Sequence, residues 1–239
     1  MTADTTGRIR PTARQRARAE ITGEIKDEAR RQLATTGAQL SLRAVARELG
    51  MVSSALYRYF PSRDDLLTAL IIDAYDALAT AAEAAAAGAA ARPGSTARDR
   101  WRACCHAIRG WALAHPHEYA LIYGSPVPGY HAPQDTTAHA ARVAAVLGGL
   151  LAGARQYDGG PSRAVLPGQL AAQGKLVAAA VAPGVAPDVA ARGLVAWTQL
   201  FGMISFELFG QLVGTADPAD DFFGYAIDLT ATVVGLPEA

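Results

Sequence analysis

Lysine is almost missing from this 239-residue chain: it occurs only at Lys26 and Lys175, and the rest of the 22 basic residues are arginine. Cysteine is as scarce. Cys104 and Cys105 are adjacent and cannot close a disulfide framework, which excludes a small stapled secreted fold and points to a reduced, cytoplasmic chain. No β-period segment stands out, and no apolar stretch follows Met1–Gly7 as a signal peptide would require. The five histidines, His106, His115, His117, His131 and His139, show no metal-ligand spacing and no His-Glu-x-x-His context. Cys105 and His106 are neighbours that diverge by about 100° on a helix, so they form no thiol–imidazole pair. The expectation is a protein with no catalytic residues, no metal and no cofactor. The apolar run Gly193–Gly214 is long enough to span a bilayer, but Gln199, Glu207 and Gln211 interrupt it and acids follow it, which argues against a membrane partner.

What is abundant is apolar: 51% of residues are hydrophobic, ample for a core in a chain of this length. Formal net charge is zero, yet it is unevenly spread. Residues 1–66 hold twelve basic against eight acidic side chains, a net +4, and residues 67–239 carry the compensating −4. A basic head on an acidic body suits nucleic acid at one end only.

Within the basic head, residues 41–60 read as two short helices joined by a glycine turn. Leu42, Val45, Ala46 and Leu49 repeat at i, i+3, i+4, i+7, and Ser41 is placed to cap the first free amides. Gly50 supplies the positive φ that a sharp turn needs. The second helix starts at Val52 or Ser53, with Val52, Leu56 and Phe60 inward and Ser53, Ser54, Tyr57, Arg58 and Tyr59 outward. Hydroxyls and a guanidinium on that face suit phosphates and base edges.

The turn, the Leu56-Tyr57-Arg58-Tyr59-Phe60 run and the following Pro61-Ser62-Arg63-Asp64-Asp65-Leu66-Leu67 resemble the DNA-binding domain of TetR-family transcriptional regulators. In that family a Leu-Tyr-x-His-Phe run closes the recognition helix and a Lys opens the next helix. Here Tyr59 stands at the His position and Arg63 at the Lys position, both keeping a donor; Val52 stands where the family usually has a capping Ser. The resemblance and the outward face together imply phosphate contacts from Ser41, Arg43, Tyr57, Tyr59 and Arg63. Ser53, Ser54 and Ala55 are then candidates for base edges, with Arg58 able to replace them in part. A second stretch, from Trp111 through His115 to Gly124, resembles the Trp-His-Gly signature of a WHG-type C-terminal domain, whose plain reading is a core tryptophan, a His-Pro helix stop and a glycine cap.

The pattern along the whole chain is all-α: a three-helix head with a helix-turn-helix, then a helical ligand-binding and dimerisation body. Residues 1–13 are expected as a disordered basic arm, 14–62 as the DNA-binding head, 63–92 as a connecting helix and 93–239 as the body. Ile21, Ile25, Ala29 and Leu33 give the first helix a buried face, and Asp64 and Asp65 open the connecting helix. In the body, Trp101, Cys105, Ile108 and Ala112 share a face; helices are expected over 136–156, 163–182, about 187–214 and about 218–235. Breaks fall at Asp158-Gly159-Gly160-Pro161 and Pro183-Gly184. The run Leu194 to Leu212 is apolar all round, which implies burial on every side and, with the last helix, a homodimer interface.

An effector site is expected where aromatics converge: Trp101, Trp111, Tyr119, Tyr123, Phe201 and Phe206, with His115 from the signature. Glu207 is exposed, paired at an interface, or a ligand contact. The expected partners are double-stranded operator DNA, a second copy of the chain, and an apolar or weakly polar small molecule, for a ligand-responsive repressor on a pseudo-palindromic operator. The alternative is a DNA-binding protein whose body only dimerises or binds a protein.

Overall fold

The computed structural model describes residues 12–37, 39–154 and 166–237, and among them every regular element is helical. The basic arm up to residue 11 and the break at Asp158–Pro161 lie outside the described residues. The chain divides into two compact units, 1–70 and 71–239.

In the first unit, α1 runs Ala13–Thr36, started by a capping box in which Thr12 and Gln15 satisfy each other's backbone amides. Thr12 and Ala13, expected in the arm, therefore belong to this helix. Helix α2 (Leu42–Glu48) begins at Ser41, whose hydroxyl accepts from Ala44 N. Gly50 turns the chain at φ +64°, and α3 (Ser53–Leu56) follows. This second helix is shorter than the sequence implies. After Leu56 the bonds tighten, Arg58 N donating to Ala55 O and Tyr59 N to Leu56 O, because Phe60 precedes Pro61 and cannot continue an α-helix comfortably. Leu56 and Phe60 are buried, as are Ile25, Ala29, Leu33, Val45 and Ala46. Val52 is not: it is 70% exposed, because it is the extended N-cap residue of α3 and not part of the helical face.

Helix α4 (Arg63–Ala90) starts where Ser62 Oγ accepts from Asp65 N, and it passes through the division between the units. The second unit continues with α5 (Ala97–Ala114), α6 (Pro116–Tyr123), α7 (Asp135–Leu150) with a 3-10 turn over Leu151–Gly153, α8 (Gly168–Val181), α9 (Pro187–Leu208) and α10 (Asp220–Val234). Helix α9 is long and apolar enough to cross a membrane by length and composition, but it packs against α5, α6, α8 and α10 as a core helix. It ends at Leu208 and not at Gly214, because Gly210 takes φ +77° and Gln211 N donates back to Phe206 O. Nor is α9 buried on every side. Ala196, Leu200, Phe201, Met203 and Ile204 face the core, whereas Leu194, Val195, Phe206 and Phe209 are exposed.

Candidate nucleic-acid interface and candidate effector cavity

The helix-turn-helix brings several of the expected contact residues to one surface. A shallow groove is lined by Leu40, Ser41, Leu42, Arg43, Tyr57, Pro61, Ser62 and Arg63, which places Ser41, Arg43, Tyr57 and Arg63 together. Arg43, Ser53, Ser54, Tyr57 and Arg58 are exposed, while Ala55 is half-buried. The half-buried Arg63 also braces the fold, Nε donating to Leu40 O at 3.2 Å and a terminal nitrogen pairing with Asp64. Tyr59 is held differently again. Arg18 lies 5.0 Å above its ring and donates to Arg58 O, so α1 fixes the end of the recognition segment. Nothing local in the sequence ties Arg18 to Tyr59, forty-one residues apart, and that contact was missed. Val52 adds an exposed apolar side chain directly before Ser53 that the inward assignment did not anticipate.

The body aromatics converge, but on one another. Tyr123 stacks on Phe201 at 4.1 Å, Trp197 tilts against Phe201 at 4.5 Å, and Tyr119 lies 5.4 Å from Tyr123. Tyr119 is fully buried, its hydroxyl donating to Phe201 O at 3.0 Å and bonded to Ser205 Oγ at 2.9 Å. Burial pushes the Tyr119 and Tyr123 hydroxyls up in pKa, so both stay neutral. Trp111 stacks on His115, whose Nδ1 bonds to Trp111 O across the α5–α6 corner. At Gly124 a Cβ atom would sit 2.3 Å from Ala120 O, so the end of α6 admits only glycine. Trp111 and His115 thus build the corner between α5 and α6, and Gly124 closes the far end of α6.

Glu207 is paired within the chain: its carboxylate takes a two-pronged grip on Arg109 of α5 at 2.6 and 2.7 Å, and Asp220 of α10 takes the third guanidinium contact at 3.0 Å. Phe206 is turned to solvent. Both cysteines are buried, and desolvation lifts Cys104 to about 11 and Cys105 well above its ordinary value, which leaves inert thiols.

An apolar cavity of about 250 Å³ lies elsewhere, between α5, α7, α8 and α9. Its wall is Trp101; Ala144, Leu147, Gly148 and Leu151; Val177, Ala180, Val181 and Ala182; and Ala190, Gly193, Leu194 and Trp197. Of the eight expected effector contacts only Trp101 reaches it. The others are committed to the aromatic stack, the helix corner, the ion pair or the surface. Ala144, Leu147, Gly148 and Leu151, and again Ala190, Gly193, Leu194 and Trp197, fall at i, i+3, i+4, i+7, a signal that could have been read. It was passed over because alanine and glycine draw attention only when a facing helix is known.

The face of α7 away from that cavity is tied to α4. His139 Nδ1 lies 2.9 Å from Asp76, Arg142 bonds Asp76 at 2.7 Å, and Arg142 also grips both oxygens of Glu83 at 2.8 and 3.0 Å. Burial pulls the Asp76 carboxyl up in pKa, but the hydrogen bonds from His139 and Arg142 outweigh it and hold the group below its usual value.

Residues 25–70 match the bacterial regulatory proteins of the tetR family, and residues 101–230 match the tetracyclin repressor-like C-terminal domain. Two curated relatives, the HTH-type transcriptional regulators Rv1816 of Mycobacterium tuberculosis and Mb1846 of Mycobacterium bovis, are each 41% identical over 205 residues. Each alignment covers 83% of this chain and 85% of the relative. Among solved structures, the regulatory protein SCO4313 aligns with a TM-score of 0.74 at 37% identity, over 92% of this chain and 98% of that one.

Proposed function

This chain belongs to the TetR family and is a transcriptional regulator, not an enzyme, and we propose that it is a ligand-responsive repressor that binds a pseudo-palindromic operator as a cytoplasmic homodimer. In this reading residues 14–62 are the DNA-binding head, preceded by a basic arm, 63–92 are the connecting helix, and 93–239 bind the effector and dimerise. The observation that carries it is the exposed polar row Arg43, Ser53, Ser54, Tyr57 and Arg58 around the turn, on a head of net positive charge. Short side chains at Ser53, Ser54 and Ala55 offer few bidentate contacts, so base discrimination leans on thymine methyls, water and DNA shape as well.

The cavity between α5, α7, α8 and α9 is the natural effector site, in preference to the aromatic stack, which is already filled by its own rings. No residue of α4 lines it. Helix α7, with the cavity on one face and the Asp76–His139–Arg142–Glu83 clamp on another, is therefore the route by which a ligand reaches the connecting helix. Coupling requires differential affinity: a ligand that binds one state of the protein better lowers the population of the other, and one that binds both equally does nothing.

Selection of bound sequences from genomic fragments, followed by fluorescence anisotropy on the recovered site, tests the DNA reading. The expected site has two-fold symmetry with half-sites about one helical turn apart or somewhat more. A recovered pool without any symmetric site sinks the operator reading. A ligand that raises the melting temperature but leaves operator affinity unchanged at saturation makes the body a dimerisation or partner-binding module.

A further inference from the structure

Val52 is an apolar side chain on a polar surface. It is 70% exposed and stands directly before Ser53 and Ser54 at the start of α3. Among the described residues of the head, the exposed large hydrophobic side chains are Val52 and Tyr57, and both lie on the turn and recognition segment. We propose that Val52 sets part of the operator sequence by packing its isopropyl group against the C5-methyl group of a thymine in the major groove. The proposal rests on the reading of the head as an operator-binding domain and adds to it the residue and the base.

Neither helix stability nor core packing accounts for a valine at this position. The backbone at Val52 is extended, with φ −69° and ψ 137°, and its carbonyl accepts from Ala55 N at 2.9 Å, which any residue there could do. Its side chain makes no capping bond, and valine is among the poorest N-cap residues. Helices α1, α2 and α5 start instead on Thr12, Ser41 and Thr96, each with a hydroxyl that accepts from a free amide. Exposure alone would be ordinary, since single apolar side chains are scattered over every protein surface. The surroundings of Val52 are not: its exposed neighbours Ser53, Ser54, Tyr57 and Arg58 are the polar row assigned to DNA. An isopropyl group in that row gains only from a partner that covers it.

Thymine supplies that partner. Its C5-methyl is the apolar group that a base edge presents in the major groove, where the other groups are donors and acceptors. Valine offers neither, so pressing it against the amino group of adenine or cytosine would strip water from a donor and put nothing in its place. Ser53 and Ser54 lack this selectivity, because a hydroxyl both donates and accepts and suits either kind of edge. Valine is also stiff at χ1 and gives up little rotamer freedom when it is covered. The contact is apolar burial with no phosphate in it, so it leaves the salt dependence of binding alone.

The test uses the full-length protein and the duplex recovered by selection from genomic fragments. Each thymine of one half-site is replaced in turn by deoxyuridine, which removes the methyl group and keeps the base pair. Anisotropy titrations compare wild type, Val52→Ala and Val52→Ser. In wild type, methyl removal at one position should weaken binding about four-fold, the worth of about one buried methyl group. In both variants the loss at that position should shrink to less than about two-fold, while the effects at the other thymines and the salt slope stay as in wild type. Val52→Ser should melt no lower than wild type, because serine can cap the helix that valine leaves uncapped. A site at which no thymine methyl matters, or a methyl effect that persists in both variants, overturns the proposal. So does a lower melting temperature in both variants, which would make Val52 a packing residue. The two readings fail separately. A symmetric site that is bound tightly but is indifferent to every methyl group counts against Val52 alone, whereas a pool with no shared site removes the operator reading and this contact with it.

Discussion

Arg43 and Arg63 border the same groove, but their guanidinium groups are committed differently, and that separates two kinds of contact with DNA. Arg43 is exposed on α2, whereas Arg63 already donates to Leu40 O and pairs with Asp64. On the proposed DNA-binding reading each neutralises a phosphate, which would release counterions and steepen the salt dependence of binding. Arg43→Ala is expected to weaken binding to all sequences alike and flatten the log–log salt slope by about one unit, with the melting temperature unchanged. Arg63→Ala should flatten the slope as well and also destabilise the protein by about 1 kcal/mol, because the part-buried Leu40 carbonyl loses a charged donor. Salt titration of operator binding and a thermal melt read the two effects separately; an unaltered slope in Arg43→Ala removes that residue from the phosphate contacts. At this scale the sequence was legible where chemistry is local. Ser41 caps α2 because a hydroxyl three residues from a free amide has few better partners. Val52 was misjudged because its direction depends on where α3 starts, and Glu207 was left with three readings because Arg109 lies 98 residues away.

Helix α7 shows how an element acquires a role that none of its residues announces. At about 100° per residue, Ala144, Leu147, Gly148 and Leu151 occupy one face, while His139 and Arg142 fall roughly on the opposite one. The first face closes the cavity and the second holds Asp76 and Glu83 of α4. A ligand that shifts α7 therefore shifts a clamp on the connecting helix. Arg142→Ala removes the four clamp bonds made by Arg142 without touching the cavity wall or the helix-turn-helix. It is expected to leave effector affinity within about two-fold while reducing ligand-induced release of operator by about three-fold or more. The readout is the ratio of operator dissociation constants with and without saturating ligand; a ratio equal to that of wild type excludes this route. Most helix limits in the body could be read beforehand, because Thr96, the His115-Pro116 stop and Gly235 act within one turn of the chain. The early end of α3 and of α9 could not, since each depends on how the last turn settles before Pro61 or over Gly210. The aromatic run behaves in a related way: rings predict that something packs, and here the partners are largely other rings, while the open space is walled mostly by aliphatic side chains together with alanine and glycine.

For the molecule as a whole, the surplus apolar surface sits on two adjacent helices. Phe222, Tyr225 and Leu229 form an exposed i, i+3, i+7 stripe on α10, and Val195 and Phe206 are exposed on α9, which packs beside it. Leu208, by contrast, packs against the core of its own unit. On the proposed homodimer, these exposed side chains are the candidate interface, and two copies of a two-helix face would make a four-helix packing with two-fold symmetry. The all-round apolar pattern of residues 194–212 could not say which of its residues would face a partner, because the hydrophobic period cannot distinguish a core neighbour from a partner subunit. The two classes respond differently to a buried charge. Tyr225→Glu and Leu229→Glu are expected to yield folded monomers with wild-type helicity, since those side chains already stand in water in a single copy. Leu208→Glu should instead lower the melting temperature sharply, because its own core has no partner for the carboxylate. Operator affinity of the folded monomers should fall by about 100-fold or more, as each head loses the effective concentration conferred by its twin. Light scattering with circular dichroism decides between the outcomes: Tyr225→Glu and Leu229→Glu proteins that both remain dimers place the interface on another face.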